Sequence, residues 1–211
     1  MNLAVSDTIL PVPFPADTRS VRLHFNFEDA HRKVTPEEFW EFCAKNRKLR
    51  AELTKDGDVI IMAPTGFESS EKNAEVVLQL AIWAKKDGTG KVTESNGAYV
   101  LPNGATKAPD AAWIRNERLG QFSTEERKRF LPIAPDFVIE LRSESDSLTD
   151  LHEKMDEWIE NGVRLAWLID TRSKQVHIYR PDMPVEVLDD PSKVSGDDVL
   201  PGFELNLTEI W

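Results

Sequence analysis

Apolar residues recur along this chain either every second position or at helical spacing, and the breaks between these runs fall on Gly, Pro and Asn. "TPEEFWEF" predicts a helix start, with Thr35 as N-cap, Pro36 at the first helical position and Glu38 completing a capping box. "LRAELTKDGDVIIM" predicts a hairpin around Asp56-Gly57. From about Ser70 to Lys86, Ala74, Val77, Leu78, Ala81 and Ile82 follow helical spacing; this stripe is expected to lie buried on a sheet, with "DGTG" closing the helix. Short strands follow near Lys91 to Ser95 and Ala98 to Leu101, then a turn at Asn103-Gly104 and a strand in "APDAAWI". Residues 115 to 129 are charge-mixed and read as a loop with a short helix. "DFVIELR" is a strand, a helix runs from about Leu148 to a glycine cap at Gly162, and "RLAWLID" and "QVHIYR" are strands. Strands and helices alternate in the middle and strands cluster at both ends. This pattern predicts a mixed α/β fold, a central mixed sheet flanked by helices.

Residues 1 to 34 are Pro-containing and weakly patterned, so they are expected to form an arm, with a single domain over 35 to 211. A chain of 211 residues with 40% hydrophobic content suits one core. The net charge of −11 argues against a general nucleic-acid coat protein and leaves room for a local basic groove. Lone Cys43 permits no internal disulfide, and the histidines (His24, His31, His152, His177) lack zinc spacing. Neither a signal peptide nor a membrane span is expected, and a reducing cytoplasm is the simplest location.

The chemistry begins with an interruption. Phe137 to Leu141 would be a buried strand were it not for Glu140. Alternation puts Val138, Glu140 and Arg142 on one face. A buried lone carboxylate costs several kcal/mol, roughly, unless it is protonated, paired or metal-bound. One reading is an ordinary Glu140–Arg142 pair. The other comes from "KAPDAAWI", where Asp110 shares a face with small Ala112 and with Ile114. If the two strands are adjacent, Asp110 and Glu140 converge on one hard cation, Mg²⁺ or Mn²⁺, as phosphodiester hydrolysis requires. Lys154, flanking the stripe Leu148, Leu151, Met155, Trp158 and Ile159, is a candidate to reach the acids, and a snorkelling surface lysine is its plainer reading. Arg142 is the alternative cation, able to clamp phosphate but not to act as a base. The second Pro-Asp pair, Pro135-Asp136, reads as a strand entry.

Pro109-Asp110 followed by Glu140, with a basic residue two places on, resembles the PD-(D/E)XK nuclease superfamily, with Arg142 where that pattern has lysine. The longer set "ELTKDGDVIIMAPTG", "LPNGATKAPDAAW", "PDFVIELRSESDSL", "KMDEWIENGVRLAWLID" and "LPGFELNLTEIW" resembles the Uma-two family of restriction-endonuclease-like proteins, from about Thr35 to the C-terminus. That resemblance implies a restriction-endonuclease-like core, with the acidic motif residues at Asp110 and Glu140. It also implies a lysine in the next helix replacing the strand lysine, which falls on Lys154. Glu75 is a candidate for an additional metal-binding acid, and Glu52 is another; each also fits a surface or capping charge.

The expected function is a Mg-dependent endonuclease acting on DNA, with a homodimer expected because cutting both strands takes two sites. A binding or interaction module that keeps the fold without activity is the alternative, favoured by the acidic charge. A small-molecule phosphohydrolase would use the same metal chemistry. A basic groove from Lys107, Arg115, Arg118 and Arg142 around the site would reconcile the charge with DNA.

Overall fold

The computed structural model describes residues 20–24, 32–144 and 146–211. The first elements are β1 (Ser20–Leu23), α1 (Pro36–Lys45), β2 (Arg50–Leu53), β3 (Val59–Met62), α2 (Phe67–Asp87) and β4 (Gly90–Glu94). Then come β5 (Tyr99–Val100), β6 (Thr106–Lys107), β7 (Ala111–Arg115), α3 (Asn116–Leu119), β8 (Phe137–Arg142) and α4 (Leu148–Glu160). The chain closes with β9 (Leu165–Asp170), β10 (Gln175–Tyr179), β11 (Glu186–Asp189), β12 (Lys193–Ser195) and β13 (Glu204–Asn206).

Local chemistry sets the helix starts. Thr35 accepts from the Glu38 amide while the Glu38 carboxylate accepts from the Thr35 amide, so two otherwise orphaned donors are satisfied at the head of α1. Ser147 caps α4 by accepting from the Asp150 amide. Gly57 has φ +88°, the left-handed conformation that the β2–β3 turn needs.

The central sheet has the order β11-β10-β9-β8-β7-β4. β8 and β9 are parallel and the other neighbours antiparallel, so the sheet is mixed, as expected from sequence. A parallel pair needs a crossover, and α4 provides it. A second sheet, β1-β3-β2-β6-β5, stands beside the first. Its core is Phe39, Phe42, Leu53 and Val59. The arm expected over 1 to 34 therefore contributes an edge strand: Val21 pairs with Ile61 and Leu23 with Val59. The rest of that segment, apart from residues 24 and 32–34, lies outside the described residues.

Alternation along the central strands divides the core. Ala111, Trp113, Phe137, Ile139 and Trp167 face α2 and the C-terminal segment, where Val76, Leu80, Phe203 and Leu205 pack on them. Ala112, Ile114, Val138, Ala166 and Leu168 face α4, whose Met155 and Trp158 are fully buried. The stripe expected in α2 needs correction. Val76, Leu80 and Ala84 are the buried residues, while Leu78 and Ile82 are exposed. The helix has apolar residues on opposite sides, and the side carrying Val76, together with half-buried Val77 and Trp83, is the one that meets the sheet.

Candidate active site

Between β6 and β7 the chain passes from the small sheet to the central one through Ala108, Pro109 and Asp110. Proline has no amide to donate, and here none is needed for a ladder. Extending the antiparallel register Ala111↔Ile139 by one residue sets Asp110 opposite Glu140. Asp110 Oδ2 accepts the Leu141 amide at 2.9 Å, and Arg50 Nη2 lies 3.6 Å from Oδ1.

Glu140 is buried, and its Oε1 is held twice, by the Trp158 indole N–H at 2.9 Å and by Lys154 Nζ at 2.9 Å. Trp158 belongs to the apolar stripe of α4, and its indole nitrogen finds the acid because a buried N–H needs an acceptor. Four residues before it, Lys154 lies on the flank of that stripe. Its ammonium also donates to Glu52 Oε1 at 3.1 Å and to the Ala108 carbonyl at 3.3 Å. Glu52, on β2, accepts the Ala108 amide at 3.1 Å and lies 3.6 Å from Lys107, which in turn pairs with Glu157 at 3.2 Å. The ammonium of Lys154 thus joins both sheets to α4.

Burial sets the protonation balance here. It pushes the Glu140 carboxyl up to about 7; Lys154 opposes the rise, and the neighbouring charges of Asp110 and Glu52 add to it. Burial also raises Asp110, against the Leu141 amide, Lys154 and Arg50. Burial acts against the charged Lys154, but Glu140, Glu52 and Asp110 outweigh it and hold the ammonium well above its ordinary range. Burial opposes ionisation of Glu52 as well, yet Lys154 and Lys107 bring its carboxyl below the usual value.

Asp110, Glu140 and Lys154 therefore meet on one face of the central sheet. Arg142 points elsewhere: its Nη1 donates to buried Asp170 at 2.7 Å across the β8–β9 pair. Glu75 accepts from Gln79, which also bonds the backbone of Asn206, so this acid belongs to the contact between α2 and β13. Asp136 accepts the Arg115 amide and the Arg118 guanidinium at the opposite end of β7.

The expected basic groove is not assembled around the acids. Lys107 is taken by Glu52 and Glu157, and Arg142 by Asp170. Arg115 and Arg118 line a separate cavity with Arg164, roughly 16 Å along β7 from Asp110 at about 3.3 Å per residue. Sequence reasoning ranked Glu52 behind Glu75 and placed Trp158 only in the core. The signal for Glu52 was a carboxylate inside a four-residue strand, "RAEL", and alternation could not find it because Glu52 and its neighbour Leu53 are both buried.

Among the described residues, no group of three or more His, Cys, Asp or Glu side chains surrounds a common metal position. Mg²⁺ does not need one: one or two carboxylates suffice when water and phosphate oxygens complete its octahedron. Asp110 and Glu140 fit that requirement: Glu140 is buried, Asp110 is partly buried, and their charges already disfavour each other.

The mixed sheet flanked by helices, with its second smaller sheet, defines a mixed α/β fold. It is similar, with a TM-score of 0.68, to the crystal structure of a protein from Anabaena variabilis described as a putative nuclease belonging to DUF820. The identity is 21%, over 84% of this chain and 97% of that one. Residues 36–208 match the model of the Uma2 family, described as putative restriction endonucleases, and the chain belongs to that family. No curated protein matches it. No described helix is long and apolar enough to cross a membrane.

Proposed function

We propose that the protein is a metal-dependent endonuclease that hydrolyses phosphodiester bonds of DNA, with Asp110 and Glu140 as the metal-binding acids and Lys154 as the catalytic cation. The observation carrying this reading is that the two acids, set opposite each other by the β7–β8 register, share one face with a partly buried ammonium that pairs with Glu140 and acts electrostatically on Asp110. Mg²⁺ or Mn²⁺ held by Asp110 and Glu140 would supply Lewis acidity and positive charge for the phosphate oxygens.

Lys154 stays protonated throughout the useful pH range, so it serves as a charge and hydrogen-bond donor toward the developing phosphate charge and does not remove a proton. Its bonds to Glu52 and Ala108 fix its position before substrate arrives. Trp158 holds the Glu140 carboxylate in one rotamer. Glu52 is therefore a positioning residue. Arg142 supports the site through Asp170 and the turn that follows β9. Cleavage of both strands of a duplex takes two such sites, and so two copies of the chain.

The test is cleavage of duplex and single-stranded DNA, with RNA alongside, in Mg²⁺ or Mn²⁺, by the wild type and by Asp110→Asn. Cleavage by the wild type that chelator abolishes and Asp110→Asn lacks supports the assignment. DNA binding without cleavage under every metal condition would instead favour a non-catalytic module on the same fold.

A further inference from the structure

Helix α2 has two apolar faces, and the sheet covers one. Phe67, Leu78 and Ile82 keep 84%, 52% and 60% of their surface exposed, while Val76 and Leu80 opposite are fully buried. At about 100° per residue, Glu71, Ala74, Ile82 and Lys85 all lie within about 40° of Leu78 around the helix. Each residue of this stripe is exposed. The stripe is also symmetric. Ala74 and Ile82 stand four residues from Leu78 on either side, and Glu71 and Lys85 stand seven. In type it runs acid, apolar, apolar, apolar, base.

We propose that this stripe docks a second copy of the chain, α2 against α2, antiparallel about a two-fold axis at Leu78. In that register Leu78 packs on the partner's Leu78 and small Ala74 receives the partner's larger Ile82. Glu71 then faces the partner's Lys85, and symmetry makes each contact twice. A parallel pairing would bring Glu71 against its own copy and Lys85 against its own, so the charges select the antiparallel arrangement.

Nearby charges do not compete for these groups. Lys72 pairs with Glu68 and Glu75 bonds Gln79, whereas Glu71 and Lys85 have no ion pair among the described residues. One helix pair covers less area than a standard interface, so the dimer is weak and concentration-dependent. The inference goes beyond the nuclease reading and stands without it, since α2 packs on the sheet face turned away from Glu140.

Sedimentation of the full chain over a concentration series tests the proposal. The wild type is expected to pass from monomer to dimer, and Leu78→Glu to remain monomeric over the same range. Glu71→Lys alone and Lys85→Glu alone should each raise the dimer dissociation constant roughly tenfold, because two attractive contacts become repulsive. Glu71→Lys combined with Lys85→Glu is self-complementary again and should return to within about threefold of the wild type. Thermal melts of these exposed-site variants check that folding is intact. A wild type that is monomeric up to its solubility limit overturns the proposal. So does a dimer that Leu78→Glu leaves unchanged, or a double charge variant no tighter than the single ones.

Discussion

Replacing Glu140 with glutamine in the metal-free protein isolates the energetic cost of holding an acid inside the central sheet. Burial raises the Glu140 carboxyl from 4.5 to about 7, a balance that includes the opposing Lys154 and the assisting Asp110 and Glu52. Between these two values the folded protein keeps the proton and the unfolded chain has lost it. The unfolded state then binds fewer protons, so stability falls as pH rises through this window and levels off above about 7. At about 1.4 kcal/mol per pH unit, the full effect is on the order of 3 kcal/mol. Glutamine resembles the protonated acid at every pH. Wild type and Glu140→Gln should therefore unfold with similar free energies near pH 4.5, and the variant should be more stable by on the order of 3 kcal/mol at pH 8. In a chain of this size that corresponds to a melting point higher by roughly 10 °C. Asp110 is present in both proteins and cancels to first order. Denaturant titrations in chelator at several pH values measure the difference directly. Parallel stability curves for the two proteins would refute the argument.

The two cations should separate cleanly. Lys154→Met is expected to lower the cleavage rate constant by roughly two to four orders of magnitude with a smaller change in DNA binding, measured by single-turnover cleavage and titration at fixed salt. Arg142→Met should instead lower stability by about 3–5 kcal/mol, because it leaves Asp170 buried without its guanidinium, and a melt of the variant checks this. Gly90→Ala tests the packing of β4 on β7: a methyl group there would stand 2.3 Å from the Trp113 ring, so a loss of at least about 1–3 kcal/mol is expected in denaturant unfolding.

Much of this architecture was legible because the strands of the central sheet announce themselves. "DFVIELR" and "RLAWLID" are nearly continuous apolar runs, as strands covered on both faces require, and "QVHIYR" carries Val, Ile and Tyr between polar residues; they fall in β8, β9 and β10. Glu140 was legible as a polar residue inside an apolar strand, and Asp110 as one at the entry to another. The face of α2 was not, because Leu78 and Ile82 follow helical spacing as well as Val76 and Leu80 do, and periodicity alone cannot say which side the sheet will cover. The convergence of Glu52 on Lys154 was equally hidden. It depends on the small sheet standing against the central one, a contact between residues 102 positions apart that no local pattern encodes.

Alternation along β8 puts Glu140 and Arg142 on one face, and from the sequence alone the nearest cation to the acid is the arginine. The sheet assigns that arginine elsewhere. In the parallel β8–β9 register Arg142 stands beside Asp170, whose carboxylate also accepts from the Arg172 and Ser173 amides and the Ser173 hydroxyl, closing the turn after β9. Turning Arg142 toward Glu140 would leave buried Asp170 with neutral donors alone and no cationic partner, a cost of about 3–5 kcal/mol. The acids therefore need a cation from another element, and α4 supplies it. Ser147 fixes where that helix begins, Met155 and Trp158 fix which side faces the sheet, and with both set, Lys154 emerges where the two sheets meet. Its protonation state follows from the same placement. An ammonium flanked by Glu140, Glu52 and Asp110 is held protonated, so in the proposed hydrolysis this lysine serves as a charge and a hydrogen-bond donor and not as a base.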